Sequence, residues 1–206
     1  MNNKPTQEEI TGAKEQATLW AKERLKDTST VILDIETTGL LTSNPNSEIV
    51  QISMCNIWGS PLINMVVKPN YPIGWEALKI HKISEDMVAS SPTFPEIAPL
   101  LYFLLNNKHV VCYGANFDIH FVMTMFTKYG FDLPDITISC CMEMYAMWQG
   151  EWNKSKGSWK WQKLPHLAFG SAHDSLTDCL STLMLIKRMS GEDIFENDKD
   201  LISLDF

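Results

Sequence analysis

Asp34 and Glu36 stand two apart inside Val31-Ile32-Leu33-Asp34-Ile35-Glu36-Thr37-Thr38-Gly39-Leu40, a run of branched apolar residues that ends at a glycine. A β-strand places residues i and i+2 on one face, so the spacing predicts two carboxylates projecting together from one strand. Like charges that close repel and raise each other's pKa. A divalent cation between them removes the conflict. The competing reading is a half-exposed strand with its acids turned to water, which leaves Leu33 and Ile35 to form the core face alone. The pair by itself leaves both readings open.

Two further acidic positions add to it. Val110-Val111-Cys112-Tyr113-Gly114-Ala115-Asn116-Phe117-Asp118 reads as a strand, a turn and the start of an apolar helix, and His173-Asp174-Ser175-Leu176-Thr177-Asp178 opens a second helix running to about Met189. Asp-x-Glu at a strand end, Phe-Asp at a helix start and His-x4-Asp on a late helix, in this order, resemble the DEDDh exonucleases. These form the DnaQ-like family, which includes the proofreading subunit of bacterial DNA polymerase III. The resemblance covers roughly residues 30–190 and retains the whole Asp-x-Glu-Thr-Thr-Gly-Leu opening at 34–40. Ile80-His81-Lys82-Ile83-Ser84 is similar to the family's Ile-His-Gly-Ile segment, with Lys82 in place of the usual Gly, which predicts a different local turn. Gly114 stands where the second motif usually has Asn, and Ser175 where Ala is usual. Neither change removes a carboxylate or the histidine.

The resemblance implies a role for each residue. Asp34 would bridge two Mg²⁺ or Mn²⁺ ions, Glu36 and Asp178 would complete one ion's site, and Asp118 would hold the other through water. Hard cations prefer oxygen ligands, and two of them can clamp the attacking and leaving oxygens of an in-line displacement. His173 would be the general base, since imidazole titrates near neutrality. Thr37 and Leu40 would lie under the 3′-terminal nucleotide. The bland alternatives are a helix-capping Asp118 and a Phe117 that fills the core, the reading favoured for that ring. His81, His109, His120 and His166 read as structural or exposed.

The elements that must position these groups follow from pattern. Residues 7–26 show apolar positions at helical spacing, Ile10, Ala13, Ala17, Trp20, Ala21 and Leu25. Strands are expected near 30–36, 48–57 and 61–67, the last two as a hairpin across Gly59-Ser60-Pro61, with Pro69 and Pro72 marking a loop. Helices at 95–106, 117–129, 141–148 and 174–189 and strands at 109–113 and 135–140 complete an α/β sandwich. The resemblance implies an RNase H-like fold with a five-stranded mixed sheet flanked by helices. The expected organisation is an exonuclease domain over 1–190 and an acidic tail over 191–206.

The chain has 206 residues, 45% hydrophobic, enough for one core. Its net charge of −8 argues against tight non-specific duplex binding and suits an enzyme that holds only the last few nucleotides. Five cysteines without zinc spacing read as reduced thiols. With no apolar signal segment and no run approaching 18 apolar residues, a cytoplasmic location is expected and a membrane span is not.

Two segments stand outside the motifs. Residues 148–163 hold Trp148, Trp152, Trp159 and Trp161 among Lys154, Lys156, Lys160 and Lys163, against one acid, Glu151. Aromatics interleaved with lysines suit single-stranded nucleic acid, where each stacked base is worth roughly 1–3 kcal/mol. Trp159 and Lys160 are the candidate strand contacts, and tryptophans anchoring an insertion are the equal alternative. The tail ends Leu201-Ile202-Ser203-Leu204-Asp205-Phe206, similar to the short hexamers that dock on sliding clamps and to the acidic tails of single-stranded DNA-binding proteins. Folding back onto the domain is the favoured alternative. Taken whole, the sequence predicts a metal-dependent 3′–5′ exonuclease acting on single-stranded or frayed DNA and releasing nucleoside 5′-monophosphates. RNA 3′ trimming is the first alternative and a non-catalytic nucleic-acid-binding module the second. Any polymerase is expected to be a separate partner.

Overall fold

The computed structural model describes residues 4–168 and 170–192. The C-terminal hexamer 201–206, for which docking and folding back are the two readings, therefore lies outside the described residues. The central strand β1 (Thr30–Thr37) lies in a five-stranded sheet with β2 (Ile49–Asn56), β3 (Pro61–Val66), β4 (Lys108–Cys112) and β5 (Ile136–Cys140), in the order β3-β2-β1-β4-β5. β1–β2 and β2–β3 are antiparallel, whereas β4 runs parallel to β1 and β5 parallel to β4. The sheet is thus five-stranded and mixed, as the family resemblance implies.

Burial explains the uninterrupted apolar start of β1, because a strand covered on both faces needs no polar alternation. Val31, Leu33 and Ile35 enter one core with α4 (Phe94–Leu105) and α5 (Ala115–Lys128). Ile32 enters the other core with α6 (Cys141–Gln149) and α7 (Ser175–Ser190). By the two-residue period, Asp34 and Glu36 continue the Ile32 face, toward α7. The half-exposed strand with acids in open water is not what forms.

Helix α1 (Gln7–Lys26) starts at a capping box in which Thr6 and Glu9 satisfy each other's backbone N–H groups. It buries Ala13, Ala17 and Ala21 and packs on α7 and α6. Two short helices, α2 (Trp75–His81) and α3 (Glu85–Val88), occupy the stretch after the prolines, and the small hairpin β6 (Trp152–Asn153) and β7 (Ser158–Trp159) sits inside the Trp-rich segment. Helices of seven and four residues are too short for hydrophobic periodicity to reveal. Lys82 also corrects the sequence reading. It caps α2 in the left-handed conformation (φ 63°, ψ 8°), the geometry a glycine would serve, so the turn is kept and the lysine carries the strain. All five cysteines are free thiols. Among the described residues no helix is long and apolar enough to cross a membrane.

Candidate active site

The carboxyl ends of the parallel strands β1 and β4 open a crevice, and four acids meet there. β1 pairs with β4 only over Thr30–Ile32, so its outer half runs on beyond β4. The register with β2 shifts between Glu36 and Thr37, a bulge that turns the strand as it leaves the sheet. Asp118 stands in the first turn of α5, 4% exposed, and Asp178 in the first turn of α7. Asp34, Glu36, Asp118 and Asp178 line one cavity of about 680 Å³ with Tyr113, Gly114, Phe117 and His173.

Polar contacts inside the sheet hold α7 in place. The Gln51 side-chain amide donates to Asp174 Oδ1 at 2.8 Å and accepts from the Ser175 backbone N–H at 3.2 Å. Ser175 Oγ lies 2.6 Å from Ser53 Oγ, both fully buried. Asp174 caps α7 by accepting from Thr177 N–H at 3.1 Å. Sequence reasoning missed Gln51 and Ser53, whose signal was two polar residues alternating in a strand otherwise apolar from Ile49 to Cys55. Ser175 is thus a hydrogen-bonding anchor rather than a neutral replacement for Ala.

The electrostatics are those of uncompensated negative charge. Burial pushes Asp34 well above the usual carboxylate range, and Asp118, Asp178, Glu36 and Asp174 push it further. Glu36 is raised to about 8 by burial and then by Asp178, Asp118 and Asp174. Asp118 is raised to about 7, chiefly by burial, although N–H groups of its own backbone and Ile35 favour its ionised form. Burial also raises Asp178, with His173 opposing. Among the described residues, the charged groups acting on Asp34 and Glu36 are all acids. That donor set, all oxygen and short of positive charge, fits hard divalent cations.

Glu36, His173 and Asp178 present ligand atoms within 4.8 Å of one another. His173 is exposed at the cavity rim, in a left-handed backbone conformation (φ 63°), and its N–H donates to Asp178 Oδ2 at 3.3 Å. A non-glycine residue held there stores strain that the surrounding contacts must support. The positive φ turns the chain just before α7, so the His173 imidazole and the Asp178 carboxylate face the same space.

A second cavity of about 520 Å³ shares Glu36 and Phe117 and is walled by Thr37, Leu40, Trp75 and His81. Thr37 is buried, its hydroxyl donating to the Gly39 carbonyl at 2.9 Å, while Leu40 is 54% exposed over the opening. Gly74 is required here. Its N–H donates to Thr38 O at 2.8 Å, and an added Cβ would lie 2.8 Å from that same oxygen. His81 Nδ1 accepts from Ile83 N–H at 3.0 Å, so its Nε2 carries the proton and faces Thr37 O at 3.2 Å. His81 is structural, as expected.

Other expectations change. Phe117 is not core: it is 39% exposed and lines both cavities. Asp118 is no cap, since Gly114 occupies that position without a side-chain bond. Gly114 leaves open space where a larger residue would project, widening the wall beside Asp118. Trp159 and Lys160 line neither cavity. The Trp159 ring packs edge-on to Trp152 at 5.3 Å, and Lys160 pairs with Glu151 at 2.8 Å, so both make their contacts within the hairpin. Gln162, Lys163, Leu164 and His166 supply the wall instead.

Comparisons with known proteins point the same way. Residues 31–186 match the family model RNase T, described as exonuclease. An uncharacterized exonuclease, CP81, of Escherichia phage 186 is 33% identical over 183 residues, 82% of this chain and 92% of that protein. The DNA polymerase III epsilon subunit of Buchnera aphidicola is 29% identical over 117 residues, 53% of this chain and 50% of the subunit, so the match spans half of that relative. Among solved structures, E. coli exonuclease I in complex with a dT13 oligonucleotide superposes with a TM-score of 0.61 at 14% identity, covering 84% of this chain and 42% of that one. The nuclease domain of 3′hExo, a DEDDh family member bound to rAMP, gives 0.59 at 16%, covering 78% and 90%. The fold is therefore RNase H-like, and the chain belongs to the RNase T exonuclease family, with DnaQ-like relatives.

Proposed function

We propose that the protein is a divalent-cation-dependent exonuclease that removes nucleotides from the 3′ end of single-stranded or frayed DNA and releases nucleoside 5′-monophosphates. The observation that carries this reading is the convergence of Asp34, Glu36, Asp118 and Asp178, with only acids among the described residues acting on Asp34 and Glu36. Two Mg²⁺ or Mn²⁺ ions would be held by these four carboxylates, with Asp34 serving both, Glu36 and Asp178 serving one and Asp118 the other. When bound, the ions supply positive charge to the attacking and leaving oxygens of an in-line displacement. His173, exposed beside Glu36 and Asp178, takes the proton from the attacking water. Thr37, Leu40 and Phe117, in the adjoining cavity, seat the terminal nucleotide. The hydrophobic Leu40 side chain, held out of the core, is placed to contact the last base.

DNA is favoured because the epsilon relatives are subunits of a DNA polymerase and the exonuclease I neighbour holds a DNA oligonucleotide. The rAMP in the 3′hExo structure favours the ribonuclease alternative. Matched DNA and RNA oligomers carrying a label at either end distinguish the cases. Loss from the 3′ end of DNA, abolished by chelator and restored by Mn²⁺ or Mg²⁺, is the expected result. Preference for RNA selects trimming, and full activity in excess chelator refutes the metal-dependent reading. His173→Ala lowers turnover by about 10²–10⁴-fold with oligonucleotide binding nearly intact.

A further inference from the structure

The Trp-rich segment is the part of the cavity wall that the proposed chemistry leaves unused. It departs from α6 at Gly150, forms the β6–β7 hairpin, and returns along the carboxylate cavity at Gln162 and Lys163. The Tyr113 hydroxyl donates to the Gln162 carbonyl at 3.0 Å, which ties this return to the end of β4. Trp152 and Trp159 are consumed by packing on each other. Trp161 is not. It is 60% exposed, immediately precedes the wall residue Gln162, and has the Lys156 ammonium 5.6 Å from its ring centroid.

We infer that Trp161, with Lys156 beside it, is a stacking platform for an upstream nucleotide of the single strand whose 3′ end lies at the carboxylates. The inference rests on the exonuclease reading above. An exposed indole offers a π-face to any base, and a neighbouring ammonium offers charge to the adjoining phosphate, a combination that binds single strands with little sequence preference. The charge distribution agrees. The chain carries −8 overall, yet residues 148–163 hold four lysines against one acid, Glu151, which pairs with Lys160 and leaves Lys154, Lys156 and Lys163 uncompensated within the segment. A single ring among lysines is also unlike the broad apolar patch of a protein interface.

A second indole–lysine pair gives an internal control. Trp75 is 62% exposed with Lys79 Nζ 3.4 Å from its centroid, but it lines the cavity assigned to the terminal nucleotide. The two pairs therefore differ in which nucleotide they meet. Trp75 touches every substrate, whereas Trp161 touches only strands long enough to pass the rim.

The test is the length dependence of KM. Wild type, Trp161→Ala and Trp75→Ala are each assayed on a thymidine dinucleotide and on an oligothymidylate of about 12 nucleotides, within the range a single-strand groove spans. Trp161→Ala should raise KM for the long strand about fivefold or more and so shrink the long-to-short preference. Trp75→Ala should raise KM for both. Binding of the fluorescein-labelled long strand to Asp34→Asn, with and without Trp161→Ala, is measured by anisotropy and needs no turnover. An unchanged long-to-short ratio, or a lower melting temperature with both lengths equally impaired, overturns the platform. Failure of wild type to cleave either oligomer refutes the exonuclease reading instead. In that event the anisotropy decides Trp161 alone, and a change below twofold overturns its role.

Discussion

Two buried acidic sites lie one hydrogen bond apart and are built on opposite principles. Thr38 N–H, just past the strand that carries Asp34 and Glu36, donates to the Glu48 carbonyl at 2.8 Å. Glu48 is 1% exposed, and its carboxylate accepts from Lys128 Nζ at 2.6 Å, Tyr129 OH at 2.6 Å and Asn70 N–H at 2.6 Å. Burial works to raise its pKa, and those three donors outweigh it, holding the group below the usual glutamate range. The Asp34 cluster is raised by the same burial and finds acids where Glu48 finds donors. Desolvation is common to both sites, and partners decide the sign. Glu48 is a finished structural contact, while the acids around Asp34 and Glu36 carry no such compensation among the described residues.

The largest expected contrast is in activity. Asp34→Ala should reduce exonuclease turnover at least as much as His173→Ala, by about 10²–10⁴-fold or more, without lowering stability. Glu48→Ala should do the reverse. It strands the Tyr129 hydroxyl, the Asn70 N–H and the Lys128 ammonium, at a cost of about 2–4 kcal/mol in urea unfolding. A stable, fully active Glu48→Ala protein would erase the distinction.

The pH dependence of the cation-free protein separates the sites next. Glu36 and Asp118 are raised to about 8 and about 7, so the folded state binds more protons than the unfolded one between their ordinary values and those values. Stability therefore falls as pH rises from about 4 to about 8. Glu48 is shifted down, so its contribution is present above the ordinary glutamate value and is lost as pH falls through its folded value. Melting curves across pH should show both limbs, the alkaline one flattened by Mg²⁺ and the acidic one reduced by Glu48→Ala. Melting that improves toward pH 8 without cations would contradict the cluster's assignment. The smallest effect concerns the strained turn at Lys82, where Lys82→Gly should add about 1 kcal/mol of stability.

These sites also mark how far the sequence could be read. The Asp34–Glu36 spacing and the neighbouring apolar run foretell a strand and a shared face, because the two-residue period is local and strict. The family resemblance supplied Asp118, His173 and Asp178, which only tertiary packing brings to β1. Nothing local marks the environment of Glu48, since its donors come from residues 70, 128 and 129. The tryptophans illustrate the same limit. Composition singles out residues 148–163, but which indole faces water depends on the hairpin register, and that register pairs Trp152 with Trp159 and leaves Trp161 outside. Helices as short as α2 and α3 carry no period to detect, and Lys82 shows that a missing glycine need not change a turn.

The central claim, that Asp34, Glu36, Asp118 and Asp178 form a site completed by divalent cations, is tested most directly by thermal melting. Wild type and Asp34→Asn are melted at neutral pH, first with chelator and then across a Mn²⁺ or Mg²⁺ titration. Without cations the variant should melt higher than wild type, because an amide avoids the cost that burial and the neighbouring acids impose on the Asp34 carboxyl. With cation at about a hundredfold excess over its Kd, wild type should gain on the order of 5–10 °C and the variant far less. A wild type that gains nothing from cations, together with a variant that melts lower than wild type in chelator, would contradict the account.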